Sequence, residues 1–367
     1  MKRRLLLFMV FLLVIPSVRA QTTFDTLSFH ALNRSVHYVE ITGKPGPWSI
    51  HVVEVNLEDS LIDIVTAKAG EQLNRLEKTS FMANHWSNNG HHVLAAINGD
   101  FYSDNGIPLG TQVCNGEVIR NDPHHVILGF DIHNHPMIGR ARYKGYLIHK
   151  KDTLRIQGVN KNRGKNQLIL YNHFRGPTTK TNRYGMEIRL SMLDPWLVND
   201  TVRCIIQQKV IGRGNSPLSP GHPVLSAHGT LIPDLKKFET GDTIKIVNRL
   251  EPGILRIKEA LGGNRKIIER GINRGNWPEQ HPRTAAGISR DSTRLYLVAV
   301  DGRQPNSVGM SLTELADFML KLGVYNAINL DGGGSTTMVV DGKIVNSPAD
   351  PVGERRVSNA LLILYKE

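Results

Sequence analysis

Hydrophobic and polar positions alternate along residues 49–67, with Ile50, Val52, Val53, Val55 and Leu57 followed by Leu61, Ile62, Ile64 and Val65. A period near two turns one face of a strand toward a core, so two strands are predicted around an Asp59-Ser60 turn. Over residues 71–86 the apolar positions Leu73, Leu76, Phe81 and Met82 predict a helix. Residues 93–97 form a short apolar run, as in a buried strand, and the run ends at the turn Asn98-Gly-Asp100-Phe-Tyr102. From about residue 140 to 280 the pattern is less regular and rich in Gly, Asn and Lys. Strands are predicted there at 168–171, 202–210 and 243–247.

The final third is patterned most clearly. Residues 294–300 read as a strand closed by Asp301-Gly-Arg303. Ser311-Leu-Thr-Glu314 has the spacing of a capping box, in which the Ser side chain and the Glu three residues on satisfy helix-start N–H groups. Leu312, Leu315, Ala316, Met319 and Leu320 then line one helical face, and Gly323 ends it. A strand over 325–330 runs into Asp331-Gly-Gly-Gly-Ser-Thr-Thr337. A hairpin turns at Asp341-Gly342, and a last strand spans 360–365. Helices mixed with hairpins predict an α+β fold: mixed, largely antiparallel sheets with packed helices, in one main catalytic domain with long insertions. The expected division is residues 21–90 packing on a main domain at 91–367, with an irregular insertion at about 140–280.

The N-terminus adds a location. Met1-Lys-Arg-Arg4, an apolar run from Leu5 to Ile15 and Val18-Arg-Ala20 have the order of a secretory signal, expected to be cut after Ala20. The run is too short to span a bilayer, which takes about 20 residues. A secreted or periplasmic protein without a stable membrane anchor is therefore expected. Removing residues 1–20 takes away four basic residues and no acid, so the formal charge of +12 falls to +8. That excess suits an anionic ligand. The basic residues are scattered, with no basic helix, zinc finger or aromatic RNA-binding box, so nucleic acid is not expected as a partner. The two cysteines, Cys114 and Cys204, could pair in an oxidising compartment, with free thiols the default. The 15 histidines include His91-His92, His124-His125 and His133-Asn-His135, but no spacing typical of zinc ligands occurs.

Four segments could carry chemistry. Three consecutive glycines, Gly332, Gly333 and Gly334, let backbone approach a ligand closely. Asp331 stands before them and Ser335 and Thr336 after, so the loop offers a carboxylate, amides and hydroxyls. No Lys follows, so it is not a Walker loop. Asn98 and Asp100 sit at a strand end, where side chains reach a ligand. Arg283, followed by Thr-Ala-Ala-Gly287, could clamp a phosphate between small neighbours. Glu354 and Arg355, before Asn359, form either a surface ion pair or a carboxylate held beside its guanidinium.

In their order along the chain, these segments resemble the phosphodiester glycosidase domain family. The resemblance runs from about Val93 to Leu364. It rests on Ala96-Ile-Asn-Gly-Asp-Phe-Tyr102, Leu109-Gly110, Val224-Leu-Ser-Ala-His-Gly229, Arg283-Thr-Ala-Ala-Gly287, Asp301-Gly302, Asn329-Leu-Asp-Gly-Gly-Gly-Ser335, and Glu354-Arg355 with Asn359. It implies an exported hydrolase that cleaves a sugar from a sugar-1-phosphodiester. Phosphate leaves readily once its charge is stabilised, so one strong carboxylate among cations and donors would suffice. The catalytic candidates are Asp331, Glu354, Arg283, Asp301 and Asp100. The substrate-binding candidates are Asn98, Gly332, Gly333, Gly334, Ser335, Thr336, Arg355 and Asn359. No organic cofactor is expected. A divalent cation such as Ca²⁺ or Mg²⁺ on clustered Asp side chains belongs to an alternative reading, a phosphodiesterase cutting P–O. A second alternative is a non-catalytic binder of anionic glycans.

Overall fold

The computed structural model describes residues 22–89, 91–253 and 255–366, so the signal segment read at residues 1–20 lies outside the described residues. Within them the chain forms 28 strands and only three α-helices: α1 (Thr79–Asn88), α2 (Ile232–Lys236) and α3 (Leu312–Lys321). The fold is mostly β, which overturns the α+β expectation. Two misreadings produced that expectation. The stretch at 140–280 that looked irregular supplies eight strands of one sheet, ordered Asp152–Ile156, Arg142–His149, Thr243–Glu251, Thr201–Ile211, Gly185–Met192, Val224–His228, Leu168–Tyr171 and Gly158–Val159. Three of these strands were expected, at 168–171, 202–210 and 243–247, and the other five were not. In Arg142–His149 the buried Tyr143, Gly145, Leu147 and His149 alternate with exposed or half-buried neighbours, and a strand that meets the core at only every second residue carries little local signal when Gly, Lys and His are among its members.

The helix predicted at 71–86 is also shorter. Leu73 packs on Ile119 and Phe174, and its N–H donates to the Phe174 carbonyl at 2.7 Å. The Arg75 carbonyl accepts from Lys68 Nζ at 2.9 Å. Both backbone groups are held by distant partners rather than by a helical ladder, so α1 starts only at Thr79. By contrast, α3 begins as its local signals demand. Ser311 Oγ accepts from Glu314 N–H at 3.1 Å, and Glu314 Oε2 accepts from Ser311 N–H at 2.8 Å.

Two sheets position the candidate site. One orders Thr23–Ala31, Val36–Lys44, Trp48–Asn56, Arg294–Val300, Arg283–Ser289, Val324–Asn329, Arg265–Glu269 and Ile272–Asn273. The other orders Lys343–Ile344, Met338–Val340, His92–Asn98, Asn359–Tyr365 and Ile62–Lys68. Their facing side chains share one core, in which Val53, Leu297, Ala286 and Ile328 meet Ile64, Leu94, Ile97 and Leu361. Pairing is antiparallel, so strand starts and strand ends fall together. Arg283 lies opposite Val300, Ala285 opposite Asn329, and Asn98 opposite Ala360. The polar termini of both sheets thus gather around the turns at 98–100 and 330–337. A further five-stranded sheet, ordered Pro136–Arg140, Val126–Asp131, Ile257–Gly263, Gln112–Cys114 and Glu117–Arg120, contributes to the cores of both halves.

Candidate active site

A cavity of about 380 Å³ opens at this gathering of strand ends. Asp331, Gly332, Gly333 and Arg283 line it, together with Arg265, Arg303, Trp277 and His281. Asp331 follows the strand ending at Asn329 and is pinned on both backbone sides. Its N–H donates to the Gly99 carbonyl at 2.9 Å, and its carbonyl accepts from Asn98 Nδ2 at 2.6 Å. Asn98 is fully buried. Its Oδ1 accepts from the Thr284 hydroxyl at 2.9 Å and from Thr337 N–H at 3.0 Å. One amide therefore ties the Asn98 turn, the Arg283 strand and the glycine loop together.

The half-buried Asp331 carboxyl is pushed up to about 6 by removal from water, against the opposing pull of Ser335, the Arg355 guanidinium and the Gly332 N–H. The Ser335 hydroxyl is buried and closes no hydrogen bond of its own. A carboxyl near neutrality beside an unpaired hydroxyl in a cleft is the pattern of a reacting group.

Arg283 is 8 % exposed and committed to the backbone. Its Nε donates to the Met310 carbonyl at 2.7 Å and its Nη2 to the Glu279 carbonyl at 2.6 Å. Burial, with help from the nearby Arg265 and Arg303, brings it down to about 10. Arg283 thus presents part of its guanidinium to the cavity while its other nitrogens fix the wall. Arg265, over the Trp277 ring at 5.9 Å, and Arg303, whose Nη2 lies 3.4 Å from His281 Nδ1, complete a cationic side. Arg265, Trp277 and His281 were not singled out from sequence. The Gly262-Gly-Asn-Arg265 run was the available signal.

The three glycines serve contacts inside the protein. The N–H groups of Gly333, Ser335 and Thr336 bond to the carbonyls of Pro282, Gly332 and Gly333. A Cβ on Gly332 would stand 2.7 Å from the Pro282 carbonyl oxygen, and one on Gly334 2.5 Å from Arg355 Nη2. Gly333 has φ +61°, which favours glycine. The loop is a tight turn over which Arg355 lies, with its Nε on Asp350 Oδ2 at 2.6 Å.

The remaining candidates are brought near but do not line the cavity. Asn359 Oδ1 accepts from Asp100 N–H at 2.7 Å, and Thr336 accepts from Thr284 at 3.3 Å. Asp100 is buried, with Oδ2 accepting from Gly110 N–H at 2.6 Å and Oδ1 unpaired. Burial first, and Asp331 in addition, push it up to about 7 against the Gly110 and Phe101 N–H groups. Asp301 accepts from Asn346 Nδ2 at 3.1 Å and Ser347 N–H at 2.9 Å, and lies 3.3 Å from His51 Nε2. Glu354 turns to α1, accepting from Ser80 N–H at 2.7 Å and Ser80 Oγ at 2.5 Å. Cys114 and Cys204 are free. Among the described residues, no group of three or more His, Cys, Asp or Glu side chains is placed to hold a metal ion.

The chain is similar to known proteins in its sequence and in its fold. It is 44% identical over 87 residues to the N-acetylglucosamine-1-phosphodiester alpha-N-acetylglucosaminidase of Bos taurus, covering 22% of this chain and 16% of that one. It is 40% identical over 88 residues to the SPbeta prophage-derived uncharacterized protein YomE of Bacillus subtilis (strain 168), covering 24% and 13%. The matched part is thus a small fraction of these relatives' length. A solved structure of a hypothetical protein from Synechocystis shares the fold, with a TM-score of 0.70 at 18% identity over 93% of this chain and 64% of that chain. Residues 195–364, which contain Arg283, Asp331 and the glycine loop, match the family described as Phosphodiester glycosidase.

Proposed function

We propose that the protein is an exported hydrolase that breaks the C–O bond between the anomeric carbon of a sugar and a phosphodiester, with Asp331 as the reacting carboxylate. The observation that carries this reading is that Asp331 lines one cavity together with Arg265, Arg283 and Arg303. The guanidinium groups hold the phosphate and stabilise the charge it gains on leaving. A phosphate so held needs little protonation, which fits a site where, among the described residues, Asp331 is the one carboxylate lining the cavity. In its ionised form Asp331 takes a proton from water or stabilises the cationic sugar carbon. Ser335 and Arg355 favour its charge. Trp277 offers a ring face to the sugar or the aglycone.

The test is hydrolysis of α- and β-linked sugar-1-phosphodiesters in H₂¹⁸O, with and without EDTA. Label on the sugar, with turnover surviving EDTA, is expected. Label on phosphate, with loss of turnover in EDTA, would replace this reading with metal-dependent P–O cleavage. Tight binding without turnover would favour a binder of anionic glycans. Export, to the periplasm or medium, rests on the N-terminal pattern, and fractionation of the expressed protein tests it.

A further inference from the structure

The three guanidinium groups that line the Asp331 cavity are held in different ways. Arg283 is fixed by the Met310 and Glu279 carbonyls, and Arg265 meets the Asn276 side chain. The guanidinium of Arg303 has, among the described residues, one hydrogen-bonding partner: its Nη2 lies 3.4 Å from His281 Nδ1. It also lies against the glycine loop. A Cβ on Gly333 would stand 3.4 Å from Arg303 Nη2 and 3.8 Å from its Cζ. Any side chain at Gly333 would therefore press on this guanidinium.

His281 is itself anchored. Its backbone exchanges two hydrogen bonds with Met310, at 3.2 and 3.0 Å, and its Nε2 lies 3.1 Å from Glu279 Oε2. A carboxylate only accepts and a guanidinium only donates. The ring satisfies both with its proton on Nε2 and a bare lone pair on Nδ1, facing Arg303. Glu279 thus sets the tautomer, and the tautomer gives Arg303 an acceptor. The backbone of Arg303 bears on the same point. Its φ is +61°, a region where Gly or Asn is at home and a long side chain is disfavoured. An Arg kept in that conformation at a cavity wall points to a use for its side chain.

We propose that His281 is a positioning residue: oriented by Glu279, it holds the Arg303 guanidinium against Gly333 so that its remaining N–H groups meet a phosphate oxygen in the cavity. Arg283 is then the fixed phosphate contact and Arg303 the aimed one. The inference rests on reading this cavity as a phosphate site, and it adds the pair of residues that aims one of its cations.

Calorimetric titration of the full chain with inorganic phosphate tests it apart from turnover. Arg303→Asn is expected to weaken phosphate about tenfold and His281→Ala about threefold, the scale of one charged hydrogen bond and of a weaker one supporting it. The double variant is expected to bind no more weakly than Arg303→Asn alone, because His281 acts only through Arg303. Combined with Arg265→Ala instead, the effect of His281→Ala is expected to multiply. His281→Asn, which keeps an acceptor close to the Nδ1 position, should restore most of the affinity. Arg303→Asn is expected to melt no lower than the native chain, since Asn tolerates φ +61°. Independent, multiplying losses in the Arg303–His281 double variant would overturn the inference. So would a lower melting temperature for Arg303→Asn, or no saturable phosphate binding by the native chain. Phosphate binding with the expected coupling, but without hydrolysis of any sugar phosphodiester, would uphold this inference and remove the proposed reaction.

Discussion

Glu354 accepts two hydrogen bonds from Ser80, one from the backbone N–H at 2.7 Å and one from the hydroxyl at 2.5 Å. Ser80 is the second residue of α1. The first N–H groups of a helix have no partner within it, and a carboxylate there satisfies one while opposing the positive end of the helix dipole. Glu354 therefore fastens α1 to the segment that carries Arg355 and Asn359. Glu354→Gln, which keeps an acceptor for Ser80, is expected to retain turnover within about tenfold. Glu354→Ala should lower stability by about 1–2 kcal/mol, the range for lost helix caps. Denaturant unfolding and steady-state kinetics on both variants check this; a Gln variant as inactive as an Asp331 variant would return Glu354 to the chemistry.

Asp331→Asn removes the proposed base and leaves the backbone bonds to Gly99 and Asn98 in place. Loss of turnover by about 10²–10⁴-fold is expected, with a melting temperature at neutral pH no lower than that of the native protein, because the ionised carboxylate it replaces is disfavoured by burial. Because Asp331 is pushed up to about 6 and acts ionised, kcat/KM of the native protein should rise with pH through that value and level off above it. A profile flat from acid to neutral would contradict the role.

Arg283 and Arg265 should separate in their effects. Arg283→Met deletes bonds to the Met310 and Glu279 carbonyls, so stability should fall by about 1.5–3 kcal/mol per charged bond lost, along with activity. Arg265→Ala should raise KM and change unfolding little, because its guanidinium meets two surface partners, the Asn276 side chain at 2.7 Å and the exposed Trp277 ring at 5.9 Å. Paired melting and kinetic measurements decide.

Gly334→Ala places a methyl group 2.5 Å from Arg355 Nη2. The guanidinium must move, and the charge that favours ionised Asp331 moves with it. The pH at which kcat/KM reaches half its plateau should therefore shift upward, which a pH profile of the variant reads directly.

Asp100 gives a stability signal apart from catalysis. Its carboxyl is pushed from an ordinary 3.8 up to about 7 by burial. A carboxyl raised on folding contributes stability that is full below its unfolded value and declines as pH rises through the folded one. The native protein should lose stability between about pH 4 and pH 7 from this group, and Asp100→Asn should remove that part of the slope. Melting temperatures of the two proteins across this window test it.

Features set by neighbours in sequence were legible in advance. The Ser311–Glu314 capping box and the Asp341-Gly342 turn each depend on contacts within a few residues, and each formed. The Asn98, Arg283 and Asp331 segments, which the fold brings together, were likewise picked out in advance, because residue chemistry is written directly in the chain. The fold class was not legible. Whether 140–280 became loops or a sheet depended on pairing between strands many residues apart, and half-polar strands carry little local signal of it. Nor could the roles within the site be read. Glu354 and Asp331 are both acids beside glycines or arginines in sequence, yet one meets the start of a helix and the other a cavity walled by Arg265, Arg283 and Arg303. Burial and the approach of distant charges separate them, and those are properties of the folded chain.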